Sequence, residues 1–189
     1  HDQDIIHITN GEVYHDPVDL ITSYRKVMRY FPIDIWKKKI ADYCIQYTLA
    51  ANFNLNRCVL RGDYVGAKIF LGLGIRRALE LTFLLDRRYA PYEKWLYPLF
   101  KTTTLARGLN PALKRIAFNS DWNIIINEFT KITDKILKKL ENKKLVRKIK
   151  KYKPKKEYGY KLLYIAAWDI LNGLPKSLGM LEISQHQKY

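Results

Sequence analysis

At 189 residues, 48% of them apolar and 13% aromatic, the chain has the composition of a globular protein with one core, and intrinsic disorder is excluded. No apolar run approaches the roughly 20 residues of a membrane span, because Lys or Arg interrupts each candidate, so no membrane partner is expected. The formal charge of +16 points to phosphate-bearing or acidic partners, or else to a solvated lysine-rich face.

The opening HDQDIIHITNGEV has neither a basic n-region nor an apolar h-region, so a signal peptide is not expected. Because it starts without methionine, a processed product or a fragment of a longer chain is expected. The segment mixes β-branched residues with Asn10-Gly11, which reads as a short hairpin or extended arm over residues 1–15. Asp16-Pro17 has the form of an N-cap followed by proline at the first helical position. The helix after it should bury Leu20, Ile21, Tyr24, Val27, Met28 and Phe31 and stop before Pro32.

Asp34 is expected to cap a helix reaching Arg61, with Trp36, Ile40, Tyr43, Cys44, Tyr47, Ala51 and Leu55 on one face. Cys44 and Cys58 then lie about 21 Å apart along one helix, too far to pair. With no other cysteine and no N-x-S/T site, a cytoplasmic location is expected. Asp63 opens a central helix to Leu85 that is apolar almost all round, and Gly66, Gly72 and Gly74 in it suggest close helix packing. Further helices are expected over Tyr92–Phe100, Leu105–Phe118, Asp121–Lys144 and Tyr158–Leu171. The predicted architecture is all-α: an antiparallel helical bundle over 16–189 preceded by the extended arm.

Several chemistries are missing from the sequence. It has no Walker loop, and Gly72-Leu73-Gly74 lies inside an apolar helix, the wrong context for a dinucleotide fingerprint. The histidines sit at the two ends, away from the cysteines, so no zinc spacing exists and no metal site is expected. Asp2-Gln3-Asp4 has a D-x-D form, but no Gly-Ser turn precedes it. Two groups of residues do suggest binding. Arg57, Arg61, Asp63, Arg76, Glu80, Arg87, Arg88, Tyr89, Tyr92, Lys94 and Trp95 concentrate arginine forks and aromatic faces, which suit phosphate, carboxylate and bases. For each of them singly, an internal ion pair or core filling is an equal alternative. The run from Lys131 to Lys161, with Lys143, Lys144, Lys148, Lys150, Lys151 and Lys153, would instead bind RNA through phosphates, without reading bases.

The segments GEVYHDP, YFPIDIWKKKIA, NRCVLRGD and above all LTFLLDRRYAPYEKWL, in this order between Gly11 and about Leu99, carry a resemblance. They resemble the helical domain catalogued as domain of unknown function 4037, which follows a nucleotidyltransferase-fold domain on the same chain. The resemblance implies a helical accessory domain on the substrate side of such an enzyme, recognising a nucleotide or a small acceptor. Similar domains in aminoglycoside nucleotidyltransferases carry a helix-borne glutamate that acts as general base, which makes Glu80 the catalytic candidate. The family's upstream Gly-Ser and paired carboxylates are not in this sequence. The chain by itself is therefore expected to be non-catalytic and to bind no cofactor, with magnesium held by the catalytic domain. It also lacks the Arg-x4–6-His motif of related helical ribonuclease toxins, which argues against ribonuclease activity.

Overall fold

The structure, a computed structural model, describes residues 2–147 and 162–175. Every regular element among them is helical. The N-terminal arm or hairpin expected from the sequence is corrected to a helix, α1 (Asp2–Thr9). Asp2 and Asp4 in its first turn and His7 in its last suit the helix dipole. Gln3 and His7 bond across one turn at 2.8 Å, and the Thr9 hydroxyl donates to the Ile5 carbonyl at 2.7 Å. Asn10-Gly11 ends this helix instead of turning a hairpin. Asn10 N–H closes on the Ile6 carbonyl, and Gly11 leaves at φ +82°, a conformation glycine adopts without strain.

Helix α2 (Leu20–Val27) begins later than Asp16, yet the Asp16 carboxylate still accepts from the Ile21 and Thr22 amides. The burial expected for its apolar face is also corrected. Leu20, Ile21, Tyr24 and Val27 are all exposed, Val27 at 79%. The contact with the core is made just beyond this short helix, by the half-buried Tyr30 and Phe31.

Helix α3 (Ile33–Tyr47) runs through a π-helical segment (Thr48–Asn54) into α4 (Leu55–Leu60). Pro32 rather than Asp34 occupies the capping position of α3. Trp36, Ile40, Cys44, Tyr47, Ala51 and Leu55 form its buried stripe, and both cysteines are free thiols. Helix α5 (Tyr64–Leu85) is capped by the Asp63 carboxylate, which accepts from Gly66 N–H at 2.8 Å. Of its expected packing glycines only Gly74 meets another helix. A Cβ there would lie 3.0 Å from Ala51 Cβ and 3.1 Å from Phe129 Cζ, whereas one on Gly72 would meet open space.

Helices α6 (Glu93–Phe100), α7 (Ala106–Phe118), α8 (Trp122–Asn142) and α9 (Leu162–Asn172) complete the described fold. Helix α9 lies along α3, α7 pairs with α8, and α8 packs on α5 and the π segment. There the Tyr47 hydroxyl donates to the Phe129 carbonyl at 2.9 Å. The stretch Ala78–Leu85 of α5 is buried throughout, so the chain leaving it at Asp86 emerges from the middle of the packing. No described helix is long and apolar enough to cross a membrane.

Candidate functional site: two pockets at the end of the central helix

The exit from α5 sets the geometry. Arg87 N–H bonds to the Leu84 carbonyl and Arg88 N–H to the Phe83 carbonyl, the two bonds of a Schellman motif. The left-handed position of that motif usually holds glycine; here it is Arg87, at φ +54°. A side chain in this conformation costs about 1–2 kcal/mol. The turn sends the two arginines apart. The Arg87 guanidinium lies over the rings of Tyr30 and Trp36, at 5.0 and 4.8 Å. That of Arg88 lies over Phe83 and donates to the Thr102 hydroxyl at 2.8 Å.

Two pockets flank this exit and share Pro91 and helix α1 as walls. The first, of about 300 Å³, is lined in part by Glu80, which is 6% exposed. Arg76 Nε donates to Glu80 Oε1 at 2.9 Å, and Arg77 bonds its Oε2. The Glu80 hydrogen bond, with Glu93 adding to it at 2.8 Å, holds the Arg76 guanidinium further above its ordinary value. Arg77 also lies 4.8 Å from the centre of the Tyr43 ring. Lys39 pairs with Asp2 Oδ1 at 3.1 Å, while the buried Asp2 Oδ2 has no hydrogen-bond partner among the described residues. Each of the three cations in this pocket is thus matched by a carboxylate. Burial pushes the Tyr43 phenol up to about 12.

The second pocket, of about 430 Å³, gathers Arg25, Arg29, Arg87 and Arg88 around Tyr30, Phe83 and Tyr89, with no acidic side chain in its lining. Arg25 uses Nε, Nη1 and Nη2 on the carbonyls of Ile8, Gly11 and Asn10, at 2.7–2.8 Å, and so holds the end of α1. The Tyr89 hydroxyl donates to the Met28 carbonyl at 2.9 Å. The nearest carboxylate in sequence, Asp86, bonds Thr104 and does not line the pocket.

The structure therefore divides the residues singled out in the sequence. Arg76 and Glu80 lie with Tyr92 in the first pocket, and the Tyr92 amide donates to Gln3 Oε1 at 2.9 Å. Arg87, Arg88 and Tyr89 lie in the second. Lys94 and Trp95 are exposed on α6 and line neither pocket. Arg57, Arg61 and Asp63 sit at the opposite end of α5; from Asp63 to Glu80 the helix runs about 25 Å. There Asp63 serves as the cap of α5, and Arg57 lies over the Phe53 ring. Lys143 and Lys144 are exposed at the end of α8, and Lys148, Lys150, Lys151 and Lys153 lie outside the described residues. Sequence reasoning missed Arg25 and Arg29. Their signal was a pair of arginines one turn apart, in the last turn of an amphipathic helix and just beyond it.

Fold and site together define an all-α domain whose central helix ends between a charge-balanced pocket and an arginine-lined one. The chain belongs to the family described as Domain of unknown function (DUF4037), which matches residues 1–96. Every residue lining either pocket falls within that stretch, Leu99 excepted. No curated protein and no solved structure matches the chain.

Proposed function

We propose that this chain is a helical accessory domain, an antiparallel bundle, on the substrate side of a nucleotidyltransferase-like protein. It recognises a nucleotide or an acceptor substrate in the two adjoining pockets and is not itself catalytic. The observation that carries this reading is the second pocket, where four guanidinium groups and three aromatic rings meet with no acidic side chain in the lining. Its volume lies within the range of small-molecule sites. Glu80, the candidate general base, has both oxygens bonded to arginine, which suits holding Arg76 and Arg77 in place better than taking a proton. In this reading, magnesium chemistry belongs to a nucleotidyltransferase-fold partner domain.

The test is calorimetric titration of the chain with ATP, GTP and a short RNA at low and at moderate salt. Nucleotide binding that survives moderate salt and is lost in Arg88→Ala supports the proposal. RNA binding that collapses with salt and ignores that substitution would replace it with a nucleic-acid-binding role for the lysine-rich stretch.

A further inference from the structure

We propose that the arginine-lined pocket is a phosphate site, which takes the phosphate or pyrophosphate group of a small phosphorylated molecule. Arg29 and Arg88 are its donors, and Arg87 supplies a fixed charge beside them. This deepens the nucleotide-recognition reading and rests on it for the choice of ligand.

The four arginines differ in what they have left to give. Arg25 has Nε, Nη1 and Nη2 committed to backbone carbonyls, so it supplies charge and no free fork. Arg87 is held over Tyr30 and Trp36, with one long contact of 3.4 Å to the Phe31 carbonyl. Arg88 uses only Nη1, on Thr102, and its other donors remain. The Arg29 guanidinium has no partner among the described residues, although it lines the pocket. Carbonyls and rings orient a guanidinium but leave its charge in place. Four like charges around one small volume repel one another, and a bound anion reverses that repulsion. The planar guanidinium fork fits phosphate oxygens in a bidentate way. The left-handed position at the turn, where glycine would be free of strain, holds an arginine that lines the pocket.

Calorimetric titration of the whole chain with pyrophosphate, ADP, adenosine and malonate tests this. The variants are Arg29→Ala, at an exposed position, and Arg87→Gly, which the turn accepts. Pyrophosphate and ADP should bind, adenosine and malonate should not, and each variant should weaken both ligands at least tenfold with helical content unchanged. ADP binding undiminished in both variants, or adenosine binding as well as ADP, would overturn the phosphate site and leave the nucleotide reading intact. Malonate binding as well as pyrophosphate would overturn the choice of phosphate over carboxylate. Pyrophosphate binding without ADP binding keeps the phosphate site and removes the nucleotide reading. Silence from both pyrophosphate and ADP at millimolar concentration defeats the inference.

Discussion

The Glu80 pocket and the arginine pocket share Pro91 and α1 and lie on either side of one helix exit, yet they balance charge differently. In the first, Lys39, Arg76 and Arg77 face carboxylates from α1, α5 and α6, and the pairing closes on itself. In the second, Arg25, Arg87 and Arg88 are oriented by carbonyls, a hydroxyl and rings, none of which carries a compensating charge, and the Arg29 guanidinium has no partner among the described residues. A charged pocket satisfied by its own residues holds helices together. One satisfied only in direction stays open to an anion from outside.

The largest expected effect falls on the support under the arginine pocket. Trp36 is 5% exposed, donates from Nε1 to the Leu84 carbonyl at 2.7 Å, and underlies Arg87. Trp36→Ala is expected to cost about 3–5 kcal/mol in chemical denaturation. A loss below about 1 kcal/mol would mean that the pocket does not depend on this anchor. Glu80→Ala should break the contrast itself, because Arg76 and Arg77 lose their shared partner. We expect a loss of about 1–2 kcal/mol, tempered by the partial solvent access of both arginines, and a second pyrophosphate site by calorimetry. A stoichiometry unchanged from the parent chain would show that the carboxylate is not what keeps anions out.

The smallest effect is a shared one, since each pocket rests on a half-buried tyrosine. Burial pushes the phenol of Tyr43 up to about 12, and raises that of Tyr30 against the opposing pull of Arg87. Both lie above the unfolded value near 10. Their contribution to stability is therefore complete below about pH 10 and is lost as pH rises through the folded values. In an alkaline titration followed by phenolate absorbance and circular dichroism, their ionisation should coincide with loss of helical signal. Ionisation well before unfolding would show that the tyrosines are not buried supports.

Much of the fold was legible in the sequence, because α3, α7 and α8 carry apolar periodicities, α5 is a long apolar run, and Asp63 and Asp121 announce helix starts. The structure bears out both caps, with the Asp121 carboxylate accepting from the Asn123 amide at 2.8 Å. The failures have physical causes. Asn-Gly serves a hairpin turn and a helix stop equally well, and only α1's contacts with Lys39 and Arg25 settle which. Periodicity in α2 reports an apolar face but not whether anything covers it. The π segment leaves no sequence mark, and Tyr47 before it and Asn52 within it both bond Thr133 of α8, a contact between residues more than eighty positions apart. Of the site, the Arg87–Tyr89 corner could be read because it is contiguous. Arg25 and Arg29 join it from more than fifty residues away, and Arg57 and Arg61 depart from it because helix length separates what composition had grouped.

Helix α1 buries none of its own residues, although it walls both pockets. It is held by Arg25, by the Asp2–Lys39 pair and by the Gln3–Tyr92 bond. None of its residues belongs to the core, so its opening should cost less than global unfolding. The timing of ligand entry would then follow the departure of the helix rather than the rate of encounter. An occupied pocket would slow the exchange of the α1 amides with solvent, so that the N-terminal turns record whether the site is filled.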